Sequence, residues 1–215
     1  MVLKLYGFSP STNTQRVVLV LNELKVPFEY VTVDLSKGEH KGEEYMKIQP
    51  FGCVPCIDDD GFILYESRAI CHYIIAKYAS QGTELVPTEL KANALYAQGL
   101  SLEVGSFEAA AAPFVYEKLF KPYQGLNPDE HSVKLYESNL MTCLDGYERI
   151  LSQQKYIGGN VLTLADLYHL PYLTLLPKVG FNAIDDKPAV SRWAKEILAR
   201  PSWQSLLAND IKGTA

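Results

Sequence analysis

Apolar positions along the first 80 residues switch between a period of two and a period near four. Val2-Leu3-Lys4-Leu5-Tyr6 alternates and predicts a short strand over residues 2–6. Residues 7–13, rich in Ser, Pro, Thr and Asn, read as a turn. Val17, Val18, Leu21 and Leu24 then fall on one face of a helix predicted over 14–25, which Pro27 stops. Residues 28–33 are β-branched and aromatic, a second strand. A polar loop over 34–42 leads to a short helix over 43–48, broken by Pro50-Phe51-Gly52. Two short strands follow, 54–57 and 62–65, joined by the hairpin turn Asp58-Asp59-Asp60-Gly61. Ala69, Ile70, Tyr73, Ile74 and Tyr78 form the apolar stripe of a helix over 67–78.

The order β-α-β-α-β-β-α has consequences for topology. A right-handed crossover makes the first two strands parallel, and the tight turn makes the last two antiparallel. A mixed sheet with helices on its faces is the thioredoxin-like layout. Val54-Pro55 falls at the start of the third strand, where a residue without an N–H is tolerated. A cis bond there would turn the Val54 backbone toward a ligand lying alongside, although cis is the minority state of X-Pro bonds. Residues 79–87 are a polar linker with Gly and Pro. Beyond it the pattern is helical, in segments near 89–119, 128–153, 163–179, 187–199 and 202–208. Pro113 is expected to bend or interrupt the first, and Pro171 and Pro177 weaken the continuity of the third. Thr163-Leu164-Ala165-Asp166 has the spacing of a capping box and reads as structural. The expected organisation is therefore an α/β thioredoxin-like domain over 1–79, a linker over 80–88 and an all-helical domain over 89–215.

Composition narrows the function classes. With 215 residues, 47% hydrophobic and 21% charged, the chain reads as globular with a substantial core. A net charge of −5 argues against nucleic acid as a partner. Apolar runs such as Val17-Val18-Leu19-Val20-Leu21 are far short of a membrane span, and no secretory signal is visible, so a cytoplasmic protein is expected. The four cysteines, Cys53, Cys56, Cys71 and Cys143, are then expected to be reduced. Cys53-Val54-Pro55-Cys56 has no second ligand pair, so no metal site is expected. It precedes a strand rather than opening a helix, which argues for a structural or incidental role ahead of a redox one.

Candidate chemistry begins at Glu66-Ser67-Arg68, where a strand passes into a helix. A helix N-terminus offers N–H groups to an anion, the Ser67 hydroxyl adds a donor, and Glu66 places a negative charge beside them. An amino-acid head group, carrying both a carboxylate and an ammonium, suits such a site. An ordinary Ser cap explains the same residues with no ligand at all. Three further patches keep it company: Ser11 in the turn before the first helix, the donor-rich Gly38-Glu39-His40-Lys41, and Val54-Pro55.

Taken in order and at these spacings, the residues resemble the glutathione S-transferases, and among them the phi class. The resemblance covers essentially the whole chain. It rests on Leu5-Tyr6-Gly7 followed by Ser11, Gly38-Glu39-His40-Lys41, Gln49-Pro50-Phe51-Gly52-Cys53-Val54-Pro55, residues 65–70 (Tyr-Glu-Ser-Arg-Ala-Ile), the linker and Thr163-Leu164-Ala165-Asp166-Leu167. The resemblance implies a catalytic serine, Ser11, whose hydroxyl hydrogen-bonds the glutathione sulfur and favours thiolate over thiol. It implies that His40 and Lys41 hold the glycine carboxylate, that Cys53, Val54 and Pro55 line the cysteinyl part with the Val54 backbone pairing to it, and that Glu66 and Ser67 grip the γ-glutamyl end. Glutathione would be a co-substrate, with no separate cofactor, and the protein a homodimer. Hydroperoxide reduction with glutathione is a further activity open to a serine-type site.

Two residues depart from the phi pattern. Cys53 stands where a Gln is usual, and a thiol donates weakly; it could also form a mixed disulfide with glutathione. Thr12 stands where an aromatic is common, leaving one wall of the electrophile pocket less bulky. Residues 109–116, Ala-rich and then aromatic, suit an apolar cleft. The electrophile site is accordingly expected to involve Thr12, Leu35, Phe114, Lys118 and Phe120, or else some of these serve helix packing. The leading activity is conjugation of glutathione thiolate to hydrophobic electrophiles. A ligandin-type carrier of hydrophobic compounds is the alternative, and a thiol-disulfide reductase the third reading, which would want a cysteine at position 11.

Overall fold

The computed structural model describes residues 2–209, 211 and 213. It divides the chain into two compact units, one of residues 1–84 together with 201–215, the other of residues 85–200.

In the first unit, β1 (Leu3–Gly7), α1 (Thr12–Leu24) and β2 (Phe28–Thr32) are followed by a 3-10 turn (Glu39–Lys41), α2 (Glu43–Ile48), β3 (Cys56–Asp59), β4 (Phe62–Tyr65) and α3 (Ser67–Lys77). The sheet order is β2-β1-β3-β4, with β1 and β2 parallel and the other pairs antiparallel. This is the thioredoxin-like arrangement that the β-α-β-α-β-β-α pattern predicts. Alternation along β1 explains why the unit has two cores. Leu3 and Leu5 are fully buried on one face, and Leu5 is in register with Ile57. Tyr6 and its partner Cys56 point to the other face, where Val33, Tyr45 and Val54 complete a second cluster with α2. Val54-Pro55 is cis, and β3 begins just after it rather than at Val54, because a proline cannot enter the ladder as a donor.

The last helix, α11 (Pro201–Ala208), corrects the expected domain boundary. Sequence pattern alone puts it in the all-helical domain, whereas it packs against α1 within the first unit. Trp203 is fully buried, and Ser202 donates to Glu23 while its carbonyl accepts from Asn22 Nδ2 at 3.4 Å. A helical pattern reports periodicity, and not which core the apolar face joins.

The second unit is helical: α4 (Leu90–Leu102), α5 (Ala109–Val115), α6 (Lys121–Tyr123), α7 (Glu130–Leu151), α8 (Leu164–Leu167), α9 (Leu170–Leu175) and α10 (Pro188–Leu198). Pro113 does not end its helix. The chain stays helical from Leu90 to Tyr123, but winds as π-helix over Glu103–Glu108 and Tyr116–Phe120 on either side of the proline. The regular i→i−4 ladder, which proline would break, is thus already interrupted around it. The predicted helix over 163–179 is instead three short pieces. Pro171 sits in the first turn of α9, where its missing N–H costs nothing, and Pro177 opens a 3-10 turn.

Two closed polar clusters hold this unit. Thr163 and Asp166 make the expected capping box. The Asp166 carboxylate, fully buried, also accepts from Ile157 N at 2.8 Å and Trp193 Nε1 at 3.0 Å. Nearby, His169 Nδ1 lies 2.8 Å from the Ala165 carbonyl and its Nε2 lies 2.9 Å from the Tyr147 hydroxyl. A carbonyl can only accept, so Nδ1 carries a proton and donates to Ala165, which leaves Nε2 facing the Tyr147 hydroxyl.

Candidate functional site

Most of the sequence-predicted site residues belong to the first unit, on the loops that leave its strands and the helix starts that follow. Ser11 is the N-cap of α1, with extended backbone and an Oγ that accepts from Thr14 N at 3.4 Å. The cap and the predicted catalytic role are compatible. A hydroxyl has lone pairs for the cap and a separate hydrogen to donate. The first turn, Thr12-Asn13-Thr14, carries no acid, so the positive end of a 13-residue helix dipole is not neutralised there. The preceding loop is held by Phe8 N donating to Thr14 Oγ1 at 3.2 Å, and a side chain at Gly7 would collide with Thr14.

Glu66 and Ser67 occupy the start of α3. Glu66 adopts φ = +71°, a left-handed value for a residue with a Cβ, and its side chain caps nothing in the helix. Such a conformation costs on the order of 1–3 kcal/mol and collects at functional sites. Glu66 is exposed, and Ser67 is buried as the first residue of α3, where helical N–H groups lack intrahelical acceptors. Behind Ser67 lies a residue that sequence reasoning missed. Arg16, fully buried on α1, donates from Nη1 to Ser67 Oγ at 3.0 Å and to Asn13 Oδ1 at 2.5 Å. Its signal in the sequence was a permanent cation standing directly before the apolar run over 17–21, in a helix buried on nearly every side.

His40 and Lys41 lie in the 3-10 turn before α2. His40 Nδ1 is buried and makes no hydrogen bond among the described residues. Lys41 is exposed and donates to the Phe51 carbonyl at 2.9 Å. The turn is positioned from upstream by Asp34. Hydrogen bonds, chiefly from Ser36 and Lys37, pull the Asp34 carboxyl down to about 2. From downstream, Gly52 is required at φ = +58°, where a Cβ would sit 2.6 Å from the His40 carbonyl.

The backbone of Cys53 is fixed by Gln49, which the sequence offered only as the first residue of a motif, and by Tyr45, which it did not flag. Gln49, buried, accepts from Phe51 N at 2.8 Å and Cys53 N at 3.1 Å, and Tyr45 OH donates to the Cys53 carbonyl at 2.7 Å. Cys53 is exposed while Cys56 is buried, and burial pushes the Cys56 thiol up to about 11. That disfavours a reactive dithiol in this C-x-x-C. Among the described residues, no group of three or more His, Cys, Asp and Glu could hold a metal ion, and no helix is long and apolar enough to cross a membrane.

The residues expected at the electrophile site are split between units. In the first, Thr12 is buried in the opening turn of α1 and Leu35 is half-buried against the cluster around Tyr45. In the second, Phe114 is committed to the core, edge-on to Phe181 at 5.7 Å, with Lys118 Nζ 5.3 Å from its ring. Phe120 is half-buried at the end of the second π turn.

Comparison with known proteins gives a consistent result. The family model "Glutathione S-transferase, N-terminal domain" matches residues 1–76, and "Glutathione S-transferase, C-terminal domain" matches residues 107–201. The chain is 44% identical to glutathione S-transferase hmp2 of Hypomyces subiculosus, over 100% of this chain and 99% of that protein. Among solved structures, glutathione transferase F7 from Populus trichocarpa superposes with a TM-score of 0.93 at 37% identity, covering 96% of this chain and 98% of that one. Glutathione S-transferase I from maize, solved in complex with an atrazine glutathione conjugate, superposes with a TM-score of 0.89 at 32% identity and 97% coverage of each chain. The chain therefore belongs to the glutathione S-transferase family and, within it, to the phi class.

Proposed function

We propose that this transferase activates glutathione by a hydrogen bond from Ser11 to the sulfur, with no general base and no nucleophilic serine. The observation that carries the reading is the state of Ser11 Oγ. It is half-exposed at the N-terminus of α1 and, among the described residues, engaged as the acceptor of a long cap bond, so its hydrogen is available to a thiolate. Hydrogen bonding and the helix dipole both favour the anion and lower the thiol pKa. The nucleophile is then the glutathione sulfur. It attacks the electrophilic carbon, expels the leaving group with its electron pair, and the thiol proton passes to solvent.

The rest of the site orients that sulfur. His40 and Lys41 take the glycine carboxylate, which the unpartnered His40 Nδ1 supports. The Val54 backbone pairs with the cysteinyl segment, with Cys53 and Pro55 flanking it. Glu66 faces the γ-glutamyl ammonium and Ser67 its carboxylate. The second substrate is a hydrophobic electrophile, and the atrazine conjugate held by the maize relative supports testing aryl halides first. Thr12 and Leu35 in the first unit, and Phe114, Lys118 and Phe120 in the second, are each candidates for contact with it. We read the protein as a cytosolic homodimer.

The test is Ser11→Ala, assayed with glutathione and a panel of aryl halides, isothiocyanates and hydroperoxides. Conjugation should fall by about one to two orders of magnitude, the worth of a hydrogen bond to a charged group, while glutathione still binds. Thiolate absorbance of the bound glutathione should show its pKa rising by about one to two units. Full activity in Ser11→Ala would refute the mechanism.

A further inference from the structure

We propose that Arg16 is a positioning residue for the γ-glutamyl carboxylate, acting through Ser67. The inference deepens the reading of Ser67 as a binder of that end and rests on it. Arg16 is fully buried and cannot lose its proton, so a fixed positive charge lies directly behind the Ser67 side chain. Guanidinium nitrogens only donate. The 3.0 Å contact therefore makes Ser67 Oγ an acceptor on the α1 side and turns its hydrogen away from the guanidinium. That hydrogen is directed to Asn13 Oδ1 at a long 3.4 Å. An incoming carboxylate offers a shorter, charged acceptor, and the hydrogen can be exchanged to it at little cost. Donation into Oγ also polarises the O–H bond and makes it a stronger donor.

The placement of Arg16 links the two ends of the substrate. Ser11 caps α1 and Arg16 lies five positions along the same helix, so one rigid element carries the group expected at the sulfur and the support of the group expected at the γ-glutamyl carboxylate. Asn13, between them, also accepts from the guanidinium. Arg16 itself touches no reacting atom. Its effect should appear as discrimination for the α-carboxylate rather than as chemistry at sulfur.

The experiment measures dissociation constants for glutathione and for its analogue lacking only that carboxylate, γ-aminobutyryl-cysteinyl-glycine. The full-length wild-type protein is compared with Arg16→Gln and Arg16→Lys. Wild type should prefer glutathione by about tenfold or more. In Arg16→Gln that ratio should shrink several-fold, because glutathione weakens while the analogue does not, and KM for glutathione should rise more than kcat falls. Arg16→Lys keeps the charge and loses the fork, so its ratio should lie between the two. If Arg16→Gln does not fold, Arg16→Lys alone decides the matter: a ratio equal to wild type overturns the proposal. Equal weakening of both ligands in either variant also overturns it, because that is the signature of general loosening. A wild-type protein that binds neither ligand would refute the glutathione site itself, a different outcome from loss of the Arg16 effect.

Discussion

Two helices in this molecule begin with a hydroxyl and an acid, and they use them in opposite ways. At the start of α8, Thr163 and Asp166 satisfy each other's backbone, and the carboxylate spends its remaining capacity on Ile157 and Trp193. Everything there is buried and paired. At the start of α3, Glu66 sits at a strained φ, caps nothing and faces outward, and Ser67 receives from Arg16 while its hydrogen keeps only a long acceptor. The first arrangement is closed and stabilises the fold. The second is left incomplete, at a cost in stability, as the proposed γ-glutamyl site requires. Residue type did not distinguish them; the spacing of the acid did. Three residues after the hydroxyl it reaches back to the cap, whereas one residue before it the acid cannot.

The largest effect expected from this contrast is at the closed site. Asp166→Ala would leave Thr163 N, Ile157 N and Trp193 Nε1 buried without their acceptor. The expected loss is about 3–5 kcal/mol of unfolding free energy, read by denaturant titration, with KM for glutathione unchanged in the protein that remains folded. At the open site the pattern should invert. Ser67→Ala should raise KM for glutathione by about tenfold while the unfolding free energy moves by less than about 1 kcal/mol. A variant at Ser67 that unfolds the protein without touching KM would remove the distinction between the two helix starts.

Periodicity made the βαβ frame, the hairpin and the Glu66-Ser67 junction legible, because each depends on neighbours close in sequence. The elements that sequence reading misplaced depend on tertiary partners. The apolar stripe of α11 fits either unit, and only packing against α1 assigns it. Pro113 is a helix breaker in isolation, yet the surrounding turns widen and the helix continues. In the site, Ser11 and Glu66 announce themselves through turns and family spacing. Arg16 does not, and Gln49 stands in the family motif without showing its task, since the first acts on a residue distant in sequence and the second on a loop backbone. A buried cation ahead of five apolar residues was nevertheless a readable anomaly, as burying a charge requires acceptors.

Between these extremes lies the Asp34 turn, where the closed and open designs meet. Asp34 accepts from Ser36 N at 2.9 Å, while Glu39 takes the Asp34 N–H at 2.7 Å, and together they set the backbone leading into His40 and Lys41. The Asp34 carboxyl titrates at about 2, below its value of about 3.9 in an unfolded chain. A depressed folded-state pKa means that its contribution is complete above about pH 4 and is lost as pH falls through about 2. Because the residue is solvated, the effect on global stability should be slight, and the readout is local. Asp34→Asn should raise KM for glutathione by no more than about threefold, nearly equally from pH 5 to 8. A variant whose KM instead converged on wild type between pH 8 and 5 would show the Asp34 carboxylate titrating within that range, and its hold on the turn would then be lost in mild acid.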